Sequence, residues 1–162
     1  MRIKIGTDST ADIPQKVRER LDINVLPLSV VHEGREYVEN VDITPEEFYV
    51  TLENCEKIPT SSQVTTQAYV DLYEKTFAAG YTDLIQISLN AKGSGTFQSG
   101  VIAKDLFFES HPEAAGTFAI HNVDSETYSM LYGHAVIKAA EMARDGASVE
   151  DILAKVELMV KA

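Results

Sequence analysis

Ile3 and Ile5 alternate with Arg2 and Lys4, the period of a short strand. Gly6-Thr7-Asp8-Ser9-Thr10 follows as a polar loop. Asp12 with Gln15 resembles a capping box and Pro14 suits a first helical turn, so the pattern predicts a helix to about Leu21. Ile23 to Val31 reads as one buried strand, with Pro27 marking an edge or bulge. His32-Glu33-Gly34-Arg35 is a turn, and Glu36 to Val41 is read as a returning short strand. Thr44-Pro45-Glu46-Glu47 combines a Thr cap, Pro at the first position and Glu at the third, opening a helix to about Asn54.

Lys57 to Thr65 is a run of hydroxyl residues with no core pattern. The next helix carries Tyr69, Leu72, Tyr73, Thr76 and Phe77 on one face and stops at Gly80. Leu84 to Leu89 is an apolar strand, Asn90 to Thr96 a glycine-containing loop, and Phe97 to about Phe108 a helix broken by His111-Pro112. Thr117 to His121 is a short strand before the polar loop Asn122-Val123-Asp124-Ser125. Tyr128, Leu131, Tyr132, Ala135, Val136, Ala139, Ala140 and Ala143 recur at helical spacing up to Gly146. Ser148 with Asp151 opens a last helix, expected to run to the final residue.

Strands thus alternate with helices. That order predicts an α/β fold: a mainly parallel sheet with helices on both faces, in one domain spanning 1–162. In such a sheet the loops at Asp8-Ser9, Ser94 and Asp124-Ser125 leave strand ends on one edge, where open α/β folds bind ligands. The junction from Leu89 to Phe97 is the sharpest of the three. A helix start points unpaired N–H groups outwards, glycines admit a ligand to the backbone, and Ser94 and Thr96 add hydroxyls. It reads as a seat for an anionic group. The alternative is that Ser94 or Thr96 simply caps the helix.

Composition narrows the chemistry. With a formal net charge of −11, the chain lacks the basic footprint that nucleic acid or an anionic membrane surface requires. The single cysteine, Cys55, forms no internal disulfide and fits a reducing compartment, so the expected location is cytoplasmic. No apolar run approaches membrane-spanning length. The four histidines are scattered, with no i, i+4 pair, so no metal site is expected. Gln98 stands where a third glycine would complete a dinucleotide fingerprint, and no P-loop or Gly-x-Ser-x-Gly elbow is present. His121 is the only base on offer to a nucleophilic serine, whether Ser94 or Ser9. Asp8 and Asp124, beside serines, read more simply as turn formers. Hydroxyls and backbone N–H groups suit holding an anion better than breaking a bond.

Several stretches, in order, resemble the DegV family of bacterial fatty-acid-binding proteins. They are Asp8-Ser9-Thr10-Ala11-Asp12, Val25-Leu26-Pro27-Leu28-Ser29, Val41-Asp42-Ile43-Thr44-Pro45-Glu46-Glu47-Phe48, Ser61-Ser62-Gln63, Ser94-Gly95-Thr96-Phe97 and Val123-Asp124-Ser125. The resemblance implies a binding protein, not an enzyme. It implies one bound long-chain fatty acid, no further cofactor, and presentation of that acid to a separate fatty acid kinase for acyl-phosphate formation. The family's carboxylate-binding Thr falls on Ser61 and its Ser-Gly-Thr serine on Ser94. Gly95, Thr96, Ser9 and Ser125 complete the expected ligand-binding set.

The chain departs from the family pattern at three positions. Ser61 keeps the hydroxyl but loses a methyl, Val64 replaces a usual proline, and Leu131 replaces a usual glycine. Members are normally two-lobed, and this chain is read as the first lobe alone, with self-association through the exposed lobe interface a consequence. The competing readings are a serine-dependent hydrolase of acyl or phosphate esters, a nucleotide or phosphate module on the Ser94 loop, and an inactive fragment.

Overall fold

The computed structural model describes residues 1–161. Four strands form a parallel sheet in the order β2-β1-β6-β7: β1 (Ile3–Asp8), β2 (Asn24–Leu26), β6 (Asp83–Ser88) and β7 (Ala119–Asp124). A second, antiparallel sheet runs β4-β3-β5: β3 (Ser29–His32), β4 (Arg35–Val38) and β5 (Thr60–Ser62). The helices are α1 (Gln15–Arg20), α2 (Pro45–Asn54), α3 (Thr66–Ala78), α4 (Thr96–Ser110), α5 (Met130–Arg144) and α6 (Val149–Val160).

Side-chain alternation along the central strands explains the layers. Ile85 and Ile87 of β6, with Ile5 of β1, pack under Tyr132, Ala135, Val136 and Ala139 of α5 and Ile152 and Val156 of α6. Leu84 of β6 and Ile120 of β7 point the other way, against Tyr69, Leu72 and Tyr73 of α3 and Ala103 and Phe107 of α4. Helices therefore cover both faces, and β6 is buried on both, which is why it reads as a continuous apolar run.

Several sequence expectations need correction. The single strand expected over Ile23–Val31 is two strands in different sheets. Pro27 has no N–H to continue a ladder, and the chain turns between Leu26 and Ser29. The hydroxyl run from Lys57 contains β5, whose ladder partner is β3. The polar loop expected from Gly6 is still strand as far as Asp8, where Gly6 lets the buried Gln86 side chain cross the backbone. Likewise Asn122 to Asp124 belong to β7.

The capping box at Asp12 and Gln15 does not form. Asp12 takes a left-handed φ of 54° and its carboxylate accepts the Ser129 hydroxyl, while Gln15 bonds Glu19. Its counterpart at Thr44 and Glu47 forms in full, because both of its bonds are local. Tyr128 precedes α5 and Leu131, at 73% exposure, lies off its buried face, so Leu131 fills no core space among the described residues. The last helix closes at Val160, and Ala162 lies outside the described residues.

Candidate carboxylate seat at the sheet edge

β1 is flanked by β2 on one side and β6 on the other, so the chain order reverses between β1 and β6. A crevice at such a switch point, outside the carboxyl ends of the strands, is where an open α/β sheet takes ligands. Asp8, fully buried, ties that point together. Its Oδ2 accepts the Leu89 amide at 3.0 Å, and its Oδ1 accepts the Thr10 amide at 3.1 Å and the Tyr132 hydroxyl at 2.7 Å. Burial and the neighbouring Asp8 charge push the Tyr132 phenol far above its ordinary range, so it stays a donor. The ends of β1 and β6 and the start of α5 are thereby held as one unit.

The Ser94 loop is fixed from two sides. On one side, Asp124 Oδ1 accepts the Ala91 amide at 3.0 Å and the Asn90 amide donates to the Thr127 carbonyl at 3.0 Å. Tyr128 rests on Gly93, where a Cβ would stand 2.2 Å from its hydroxyl. On the other side the strand that carries Ser61 meets the loop. Gln63 Nε2 donates to Ser99 Oγ at 3.2 Å, and the Val64 amide donates to Thr96 Oγ1 at 3.2 Å. Within the loop, the Ser94 and Thr96 hydroxyls are 2.9 Å apart and the Thr96 amide donates to Ser94 Oγ at 3.2 Å. Gly95 is the N-cap of α4, with no side-chain cap bond, so the helix start is left open.

The expected site residues fall into distinct places. Ser61 is exposed in β5 and borders a groove of about 640 Å³ that also involves Pro27, Val38, Val64 and Ala68. Ser94 is half-buried and does not line that groove; its loop is joined to the groove's Val64 through Thr96. Thr96 is wholly buried. Ser125 is wholly buried and closes its own turn with Thr127. Ser9 is bonded elsewhere: its hydroxyl donates to Glu39 at 2.5 Å and accepts the Leu28 amide at 2.9 Å. It borders a larger cavity of about 850 Å³ under α2, walled by Ile13, Val25, Val30 and Phe48. Both volumes are in the range of small-molecule sites.

His121 is not positioned as a base for Ser94 or Ser9. Its Nε2 pairs with Asp83 Oδ1 at 3.1 Å, at the amino end of β6. That strand runs roughly 16 Å before it reaches the edge that bears Ser94. The contacts of Gln63 and Tyr128 and the Asp8–Tyr132 bond are not legible in the sequence. Their contacts cross 30 or more residues, and the only local signal was Gln63 standing beside the Ser61-Ser62 hydroxyls.

A family model described as an uncharacterised protein, DegV family, matches residues 2–162. A DegV domain-containing protein of Listeria innocua is 35% identical over 161 residues, covering 99% of this chain and 54% of the relative. Protein DegV of Bacillus subtilis is 34% identical over 162 residues, with the same two shares. Among solved structures, that of a fatty-acid-binding DegV family protein from Thermus thermophilus superposes with a TM-score of 0.84 at 31% identity. The structure of Bacillus subtilis DegV, a fatty acid binding protein, does so at 0.86 and 33%. Each of those two comparisons covers 99% of this chain and 54% of the other. The chain thus spans about half the length of the relatives it matches, one lobe of them. With its α/β fold, its ordered Ser61-Ser62-Gln63 and Ser94-Gly95-Thr96 segments and these matches along nearly all its length, the chain belongs to the DegV family.

Proposed function

We propose that this chain binds a long-chain fatty acid, with the carboxylate on the hydroxyls of Ser61 and Ser94 and the acyl chain in the apolar space beside β5. The observation that carries this reading is the bolt between the two hydroxyl-bearing segments, Val64 to Thr96 and Gln63 to Ser99. It ties the segment that carries the exposed Ser61 to the loop that carries the half-buried Ser94 at the start of α4. A carboxylate taken out of water requires such partners. Burying roughly sixteen carbons would contribute on the order of 10 kcal/mol gross, much of it offset by ordering costs. Fatty acid binding by the Thermus thermophilus and Bacillus subtilis proteins supports the assignment.

On this reading the protein is a carrier, not an enzyme, working in the cytoplasm and presenting the acid to a partner kinase that forms the acyl phosphate. Gly95 and the helix start supply backbone N–H groups to the head group. Displacement of a fluorescent fatty acid by palmitate tests the seat: affinity falls at least tenfold in Ser61→Ala/Ser94→Ala, and an unchanged affinity refutes it.

A further inference from the structure

Ser129 stands in a backbone conformation that L side chains rarely adopt, with φ 55° and ψ −146°. That region belongs to glycine, and a residue with a Cβ is strained in it. Ser129 also stands just before α5, where a serine ordinarily turns its hydroxyl onto the amides of the first turn. It makes no such bond among the described residues. Its hydroxyl donates instead to the Asp12 carboxylate, 117 residues away in the chain. Asp12 is itself left-handed, with φ 54° and ψ 28°. Two residues in unfavourable conformations are thus tied to each other, and the tie takes the place of a helix cap.

The two ends of that tie hold different things. Asp12 follows the turn Ser9–Ala11, which is anchored on α5. The Tyr132 hydroxyl lies 2.7 Å from that of Thr10, and a Cβ on Gly133 would stand 2.3 Å from the Ala11 carbonyl oxygen. Ser129 ends the segment that clamps the Ser94 loop. The Thr127 carbonyl accepts the Asn90 amide at 3.0 Å and the Glu126 carbonyl accepts Asn90 Nδ2 at 3.1 Å. Tyr128, the residue before Ser129, rests on Gly93. A return of Ser129 to negative φ would free its hydroxyl to cap α5 and carry Tyr128 off the loop.

We propose that Ser129 and Asp12 are positioning residues: their bond holds Ser129 in its strained conformation, keeps Tyr128 on Gly93, and so shapes the Ser94 loop for the fatty acid carboxylate. Neither residue acts on the ligand directly. This rests on the carboxylate seat proposed above.

The test compares Ser129→Ala with Ser129→Gly. Both lack the hydroxyl, but glycine is at ease at positive φ and alanine is not. Ser129→Gly keeps the conformation without the bond, whereas Ser129→Ala loses both. The Gly93 Cα protons, beside the Tyr128 ring, report the contact by NMR without any ligand, and Tyr128→Leu supplies their shift in a released loop. In Ser129→Ala that shift is expected to move most of the way to the released value. Palmitate affinity, read by displacement of a fluorescent fatty acid, falls at least about fivefold in Ser129→Ala and at most about twofold in Ser129→Gly. Equal behaviour of the two variants would overturn the proposal. So would a Gly93 shift that moves with no change in affinity while the unaltered chain binds. If Ser129→Ala does not fold, Ser129→Gly decides: retained binding supports the proposal, and a fivefold loss with the conformation freely available overturns it. A Gly93 shift that responds as stated in a chain that binds no palmitate would confirm the hold of Asp12 on Ser129 and overturn the seat.

Discussion

Gln63 lies across the backbone of Gly95: a Cβ on Gly95 would stand 2.0 Å from Gln63 Oε1 and 2.6 Å from its Cδ. The obstructing group is the end of an exposed, flexible side chain, so Gly95→Ala is accommodated by swinging Gln63 away. The fold loses at most about 1 kcal/mol, but the Gln63–Ser99 bond goes and the join between the two hydroxyl segments is left to the Val64–Thr96 bond alone. The expected result is a near-normal melting temperature with clearly weakened palmitate binding. Equal loss of both would show that Gly95 serves the fold rather than the seat.

Tyr132→Phe removes the phenol that donates to Asp8 at 2.7 Å and lies 2.7 Å from the Thr10 hydroxyl. A buried hydrogen bond to a carboxylate is worth about 1.5–3 kcal/mol. The denaturant midpoint should fall accordingly with an unchanged slope, since the unfolded surface is the same. A midpoint within error of the unaltered chain would contradict the place given to Asp8 at the switch point.

Glu39 has its carboxyl raised from the ordinary 4.5, first by burial and then by the charges of Asp12 and Asp8, with the Ser9 bond opposing. A carboxyl raised in the folded state costs stability once ionised, so the cost grows as pH rises through the folded pKa. Glu39→Gln keeps an acceptor for Ser9 and drops the charge. It should melt higher than the unaltered chain at pH 7, with the difference closing below about pH 4.5. A variant that melts lower at pH 7 would contradict this.

His111 sits between Glu113 at 3.0 Å and Glu74 at 3.3 Å, its ring stacked on Phe107 with centroids 4.9 Å apart. The bond to Glu113 and then that to Glu74 raise it above its ordinary 6.5, while Glu113 is drawn below 4.5 by the same bond. The His111 contribution is complete below about pH 6.5 and is lost as pH rises through its folded pKa. That of Glu113 is complete above about pH 4.5 and is lost as pH falls. Melting temperature measured against pH should therefore be supported between those values, and His111→Gln should flatten the fall on the alkaline side. The same slope in both proteins would count against the arrangement.

Legibility in the sequence followed the range of the interactions. The Thr44–Glu47 box and the Ser148–Asp151 cap were readable because their partners are three residues apart. The strand before the Ser94 loop was readable because β6 is apolar on both faces. β5 was hidden: it has three residues, Thr60 to Ser62, none of them apolar, and becomes a strand only by pairing with β3. Pro27 marks a disturbance in the strand pattern, but its outcome, a change of sheet, depends on where β3 finds its partners. In the site, the Ser94 loop and the Ser61 run could be singled out separately by their hydroxyls and glycines. Their meeting through Gln63 and Thr96 could not, because it is made across 32 to 36 residues of chain.

The most direct measurement of the central claim is organic extraction of the purified chain followed by mass spectrometry, beside Ser61→Ala/Ser94→Ala. The account predicts fatty acid close to one per chain in the unaltered protein and its loss in the double variant. A folded, unaltered chain that carries no fatty acid and takes up none when palmitate is supplied would contradict it.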